Sequence, residues 1–420
     1  MTSTLIYNIG QLVTVDPARM TAENPLGIIP NGAIRIEDGK IAWLGASTEI
    51  HKKDFPSHQW LDAKDKLVMP GLIDSHTHTI FAGDRADEFE MRLQGKTYLE
   101  IAQAGGGILK TVRATRQASK QELQELTQKR LQRMLSLGVT TVEVKSGYGL
   151  DFDSELKCLE VLRDLQQTSA NRIIPTYMGG HDIPPEYQGR TDAYVDLLCH
   201  EQIPVIAEKK LAVFCDVFCE KGYFEVAHSR RILEAARQHG LKLKIHAEEF
   251  CDLGGAKLAG ELGAVSADHL LNISDEGIAA LKAGGTVATL LPGTAFYLRI
   301  KDYAPANKLI AAGVPVALAT DFNPGSCTID NLQLIMALAC LQMNMQPVDV
   351  LKAVTLHAAM ALDVHHDRGS LTVGKRADIA MFDVGNYNEL LYRMGSNLLS
   401  DVFVGGRHFT RHELESALFN

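Results

Sequence analysis

Two histidines one residue apart, His76 and His78, close the apolar run that starts at Leu67. In an extended chain, residues two apart point to one face, so both imidazoles can aim at a single ion. His246 and Asp321 answer them from far along the chain. Three neutral imidazoles and one carboxylate leave a divalent cation with residual positive charge and an open position for water, the donor set of a catalytic rather than a structural site. An HxH pair alone is weak evidence, because two satisfied histidines at a strand end are common. Its context strengthens it: 67–73 reads as the start of a buried strand, and 81–85 as a loop leaving the strand's carboxyl end, where barrel enzymes keep their chemistry.

Other polar residues gather at strand ends in the same way. His181 follows the third apolar strand, His246 and Glu249 the fifth, His269 closes the sixth, and Asp321 opens 321–326 after the eighth. A lone histidine is more often packed or solvated than ligating. Several strands ending independently on His or Asp are harder to dismiss. His51, His58, His365, His366, His408 and His412 fall outside this pattern and receive no role. The glycines 105–107 lack the preceding strand and the following Lys-Ser/Thr of a phosphate cradle, so a flexible loop over the barrel mouth is their expected use.

The scaffold that must position these residues alternates short apolar runs with helical patterns, the signature of βα units around a parallel sheet. The expected strands are 67–78, 139–145, 172–178, 211–218, 242–247, 265–269, 286–291 and 314–320. Eight units suggest a (β/α)8 barrel of the TIM type. A helix over 119–137 opens with Ser119 and Glu122, the spacing of a capping box. Both chain ends differ: 32–45 alternates apolar and polar residues around Asp38-Gly39, as a hairpin would, and 374–383 and 401–407 do likewise. A small β-sandwich domain assembled from 1–66 and 368–420, beside a barrel of 67–367, is the simplest arrangement.

With 420 residues, 46% of them hydrophobic and 22% charged, the chain can bury a large core. A net charge of -9 without a basic stripe argues against nucleic acid as partner, and Arg230-Arg231 reads as a solvated helix face. No run of 18 apolar residues and no leader pattern occurs, which points away from membranes and export. Seven scattered cysteines, an odd number with no CxxC, fit a reducing cytoplasm.

These residues resemble the amidohydrolase superfamily of metal-dependent hydrolases: HxH after strand one, His after strands five and six, Asp after strand eight. Five segments, 76–85, 145–149, 180–181, 246–250 and 321–326, are similar to the members that act in histidine degradation. The resemblance covers nearly the whole chain. It implies hydrolysis of the small molecule 4-imidazolone-5-propanoate to N-formimidoyl-L-glutamate by opening a cyclic amide. It also implies one zinc or iron ion per chain on His76, His78, His246 and Asp321, with Arg85, Tyr148, His181, Glu249, Asn323, Gly325 and Ser326 around the substrate. A homodimer is compatible with it.

The lysine that bridges two metals in some relatives has no counterpart near strand four, since Lys221 comes too late, so a single ion is expected. On this reading Asp321 accepts the water's proton, His269 helps polarise the ring carbonyl, and Glu249 relays a proton to the departing nitrogen. Arg85 holds the propanoate by a paired contact. A superfamily deaminase acting on a heterocyclic base would share the donors without needing Arg85. A non-catalytic barrel scaffold would typically lack part of the donor set.

Overall fold

The computed structural model describes residues 3–96, 100 and 105–418. Eight strands follow one another around a parallel sheet: β1 (Leu72–Asp74), β2 (Val139–Lys145), β3 (Arg172–Gly180), β4 (Phe214–Cys219), β5 (Lys242–Ala247), β6 (Ser266–His269), β7 (Val287–Leu290) and β8 (Val316–Leu318). Residues beyond the last and first strands bring the two edges together. His78 N–H donates to the Phe322 carbonyl at 2.9 Å and Asp321 N–H to that of His76 at 3.0 Å. The strands are buried almost throughout because helices cover the outside and side chains fill the inside. Ser119 caps the helix Lys120–Ser136 by accepting the Glu122 N–H at 3.1 Å.

The expected strand 67–78 divides. Leu67–Pro70 pairs antiparallel with Ile379–Phe382 in the terminal sheet, whereas Leu72–Asp74 joins β2. Gly71 makes the crossing: a Cβ there would lie 2.4 Å from the Thr140 side chain, and its N–H reaches the Asp378 carbonyl. His76 and His78 therefore lie past the last regular residue of β1. Their common facing comes from Thr77, which bridges to Phe322 between them.

Strands from both ends build one mixed eight-stranded sheet: Thr4–Val13, Ile28–Glu37, Lys40–Ala46, Gln59–Asp62, Leu67–Pro70, Ile379–Phe382, Leu399–Val404 and Arg407–Thr410. Asp38 and Gly39 turn the hairpin with φ of 49° and 75°, the left-handed pair that a two-residue turn of this hand requires. Alternation gives the sheet two apolar faces. Val68, Ile379 and Met381 join Ile6, Ile34 and Phe403 in the sheet's own core, while Leu67, Met69, Ala380 and Phe382 pack against the barrel. Among the described residues no helix is long and apolar enough to cross a membrane.

Candidate active site

Four side chains converge at the carboxyl end of the barrel. Asp321 Oδ1 lies 3.4 Å from His76 Nε2 and 3.6 Å from His78 Nε2, and His246 Nε2 is 3.4 Å from His78 Nε2. The outward nitrogens of two rings are tied: His76 Nδ1 to Asp268 at 2.6 Å and His246 Nδ1 to Asp216 at 3.1 Å. An ionised carboxylate only accepts, so each Nδ1 carries its proton and each Nε2 turns a lone pair toward the centre. His76 Nε2 is buried and has no hydrogen-bond partner, as expected of an atom placed for a cation. Burial also holds His76, His78 and His246 well below the usual histidine range, so all three are neutral and able to ligate. The residues present thus fit a bound metal ion.

Asp321 sits in the left-handed region, with φ of 52°, at the turn after β8. The Thr294 hydroxyl donates to its Oδ2 at 2.6 Å, leaving Oδ1 to face the histidines. Burial pushes this carboxyl up to about 7, against the hydrogen bonds from Thr294 and Asn323. His269, with φ of 79°, ends β6 close to the same centre; its ligating atom can lie within 4.8 Å of those of His76 and His246. Burial brings its pKa down to about 4.

Above these groups opens a cavity of about 680 Å³. Glu249 lines it 3.6 Å from His269 Nε2, beyond hydrogen-bond reach. Burial, and then the nearby Asp321 and Glu220 carboxylates, raise Glu249 well above the ordinary carboxyl range. Its loop is fastened by Asn272, whose amide donates to the Glu249 carbonyl at 2.9 Å. His181 stacks on His78 at 4.8 Å and holds Nδ1 2.9 Å from the Gly147 carbonyl, which leaves Nε2 as an acceptor. Burial drops its pKa to about 4. Tyr148, also buried, stays protonated because burial outweighs the opposing pull of Arg85.

Arg85 lies flat against Gly325, where an added Cβ would meet its guanidinium at 2.4 Å. Gly325→Ala is therefore expected to push Arg85 out of place and lower kcat/KM with little loss of fold; wild-type kinetics in that variant would count against this packing role. Asn323 is occupied with its own turn: its carbonyl oxygen accepts from the N–H groups of Gly325 and Ser326 at 2.8 and 2.7 Å, and its amide donates to the Asp321 carbonyl and to Ser326 Oγ. Asn323 and Ser326 shape the loop that carries Asp321. Gly107 opens the helix Ile108–Gln117 and gives its N–H to Glu88 at 2.9 Å, and Ile108 borders the cavity.

Sequence reasoning missed the layer beneath. Asp216 and Asp268 orient two histidines, and Lys145, on β2, lies 2.7 Å from Asp216 and 2.8 Å from Glu143. The available signal was charge inside fully buried strands: Asp216 in β4, Asp268 in β6, and both Glu143 and Lys145 in β2. Lys221 is exposed after β4, and Lys145 is committed to carboxylates, so neither is free to bridge a second ion.

A model of the amidohydrolase family matches residues 67–409. A protein of Alkaliphilus metalliredigens named imidazolonepropionase is 47% identical over 97% of this chain and 98% of its own length. One of the same name from Geobacillus sp. is 48% identical over 96% of each. Among solved structures, an adenosine deaminase from Xanthomonas campestris with bound zinc superposes with a TM-score of 0.70 at 18% identity, covering 100% of this chain and 96% of that one. A triazine hydrolase variant gives 0.73 at 16% identity, covering 99% and 98%. These two likenesses bear on the fold alone.

Proposed function

This chain belongs to the amidohydrolase family, and we propose that within it the chain is an imidazolonepropionase, opening the cyclic amide of 4-imidazolone-5-propanoate with water to give N-formimidoyl-L-glutamate. The observation that carries this reading is that one cavity is lined both by His78, His246 and Asp321, the last with its Oδ1 3.4 Å from His76 Nε2, and by Arg85. A deaminase of the same family would use the cluster but has no carboxylate for an arginine to hold. The full donor set likewise speaks against a barrel that merely scaffolds.

In this proposal those four residues hold one zinc or iron ion per chain. Such an ion, when bound, supplies a Lewis acid that makes water more acidic and draws electrons from the ring carbonyl. Asp321 Oδ1 takes the proton of the attacking water. His269, neutral, donates a hydrogen bond to the oxygen on which charge develops. Glu249, kept protonated by its burial, delivers a proton to the ring nitrogen as the carbon–nitrogen bond breaks. His181 Nε2 accepts from a ring N–H. Arg85, with Tyr148 and the turn at Asn323, Gly325 and Ser326, holds the propanoate. The small-molecule substrate and the seven free cysteines suit a cytoplasmic enzyme.

Steady-state turnover of 4-imidazolone-5-propanoate, compared with cytosine and guanine, tests the assignment. Ring opening to N-formimidoyl-L-glutamate supports it; deamination of a base without ring opening overturns it. Arg85→Ala should cost about 2–4 kcal/mol in transition-state binding, a fall of roughly 30- to 1,000-fold in kcat/KM. Unchanged kinetics would remove Arg85 from the substrate site.

A further inference from the structure

Beneath the ligating histidines lies a sealed set of charges that the reaction does not touch: Glu143 and Lys145 on β2, Asp216 on β4, Lys244 on β5 and Asp268 on β6, all fully buried. Lys145 Nζ stands 2.7 Å from Asp216 Oδ2, 2.8 Å from Glu143 Oε1 and 3.6 Å from Asp268 Oδ2. An ammonium group offers only donors, so it demands oxygen from each neighbour. Asp216 gives Oδ2 to Lys145 and Oδ1 to His246 Nδ1 at 3.1 Å. With both oxygens accepting, His246 must keep its proton on Nδ1, and Nε2 is the bare nitrogen.

We propose that Lys145 is a positioning residue that fixes the tautomer of His246 through Asp216, so that Nε2 always meets the metal position as a lone pair. The proposal rests on the reading of His246 as a metal ligand. Asp268 provides an internal contrast. Its Oδ2 serves both His76 Nδ1, at 2.6 Å, and Lys145, while its Oδ1 accepts the Ser266 hydroxyl at 2.6 Å. A hydroxyl can turn from donor to acceptor; a lysine cannot.

Isosteric amides separate the two positions. In Asp216→Asn the carbonyl is claimed by Lys145, so the NH2 group faces His246 Nδ1. The imidazole proton then moves to Nε2, and an N–H points where a lone pair is needed. In Asp268→Asn the carbonyl can stay at Oδ2 for both His76 and Lys145, while Ser266 receives the NH2. In Lys145→Met/Asp216→Asn the carbonyl is free to turn back to His246, and the net charge of the buried set equals that of the native protein.

The test uses full-length protein, with zinc affinity measured by chelator competition and the His246 tautomer read from 15N chemical shifts of the metal-free form. Thermal melting of each variant reports its fold. Asp216→Asn should weaken zinc by about 100-fold and show a proton on Nε2. Asp268→Asn should weaken it by less than about 10-fold, and the double variant should bind at least roughly 10-fold tighter than Asp216→Asn alone. Equal losses in the two single variants, or a native His246 tautomer in Asp216→Asn, overturn the proposal; so does a folded double variant no tighter than Asp216→Asn. Neither of the first two results requires the double variant to fold. Wild-type protein that binds no zinc would contradict the metal reading instead, and the tautomer in Asp216→Asn would still decide the role of Lys145.

Discussion

His246→Ala and Asp321→Ala are each expected to yield protein that folds, purifies without metal and does not turn over substrate. Each removes one of only four donors and leaves the others in place: His76 held by Asp268, His78 stacked on His181. Three donors bind a divalent ion far more weakly than four. Removal of Asp321 does further harm, because it leaves the Thr294 hydroxyl without its acceptor and the water without a base. Elemental analysis beside activity checks this. Metal retained at one equivalent in either variant would place the ion elsewhere in the barrel.

Glu249→Gln is expected to keep its metal and near-native substrate affinity while kcat falls about 10²–10⁴-fold, the usual worth of a group that transfers a proton. Glutamine preserves the size and neutrality of the buried protonated acid but has no proton to give. The sign of the pH dependence follows from the raised pKa of Glu249. The acid form is active, so kcat of the native enzyme falls as pH rises through that pKa, and the variant loses this limb. The alternative is that Glu249, three residues past His246, merely supports that imidazole. Loss of metal in step with activity in Glu249→Gln would assign it that lesser role and leave the proton transfer to Asp321 or His269.

Much of this architecture was legible because each barrel strand is a short apolar run that ends on a residue of different chemistry. The bounds expected for β2 and β5, 139–145 and 242–247, are those observed. Such runs are buried on both faces, so hydrophobicity reports them directly. The division at Gly71 was read through: Pro70-Gly71 interrupts the apolar run locally, but that the two halves join different sheets depends on the Thr140 side chain and the Asp378 carbonyl, both distant in sequence.

That His76, His78, His246 and Asp321 belong together was legible from types and order alone, whereas the carboxylates beneath them were not. Asp216 sits between Cys215 and Val217, and Asp268 beside His269, each a single acid in its strand. Their meaning appears only when β2, β4, β5 and β6 stand side by side and Lys145 reaches across to both. Asn323 was legible as part of a site motif, but its engagement with Gly325, Ser326 and Asp321 depends on a turn that types alone do not reveal.

The most direct test of a single-ion ring-opening site is a titration of metal-free protein with zinc, following hydrolysis of 4-imidazolone-5-propanoate. Activity should rise in proportion to added metal and reach its plateau at one equivalent per chain; a plateau at two equivalents, or full activity before any metal is added, would contradict it.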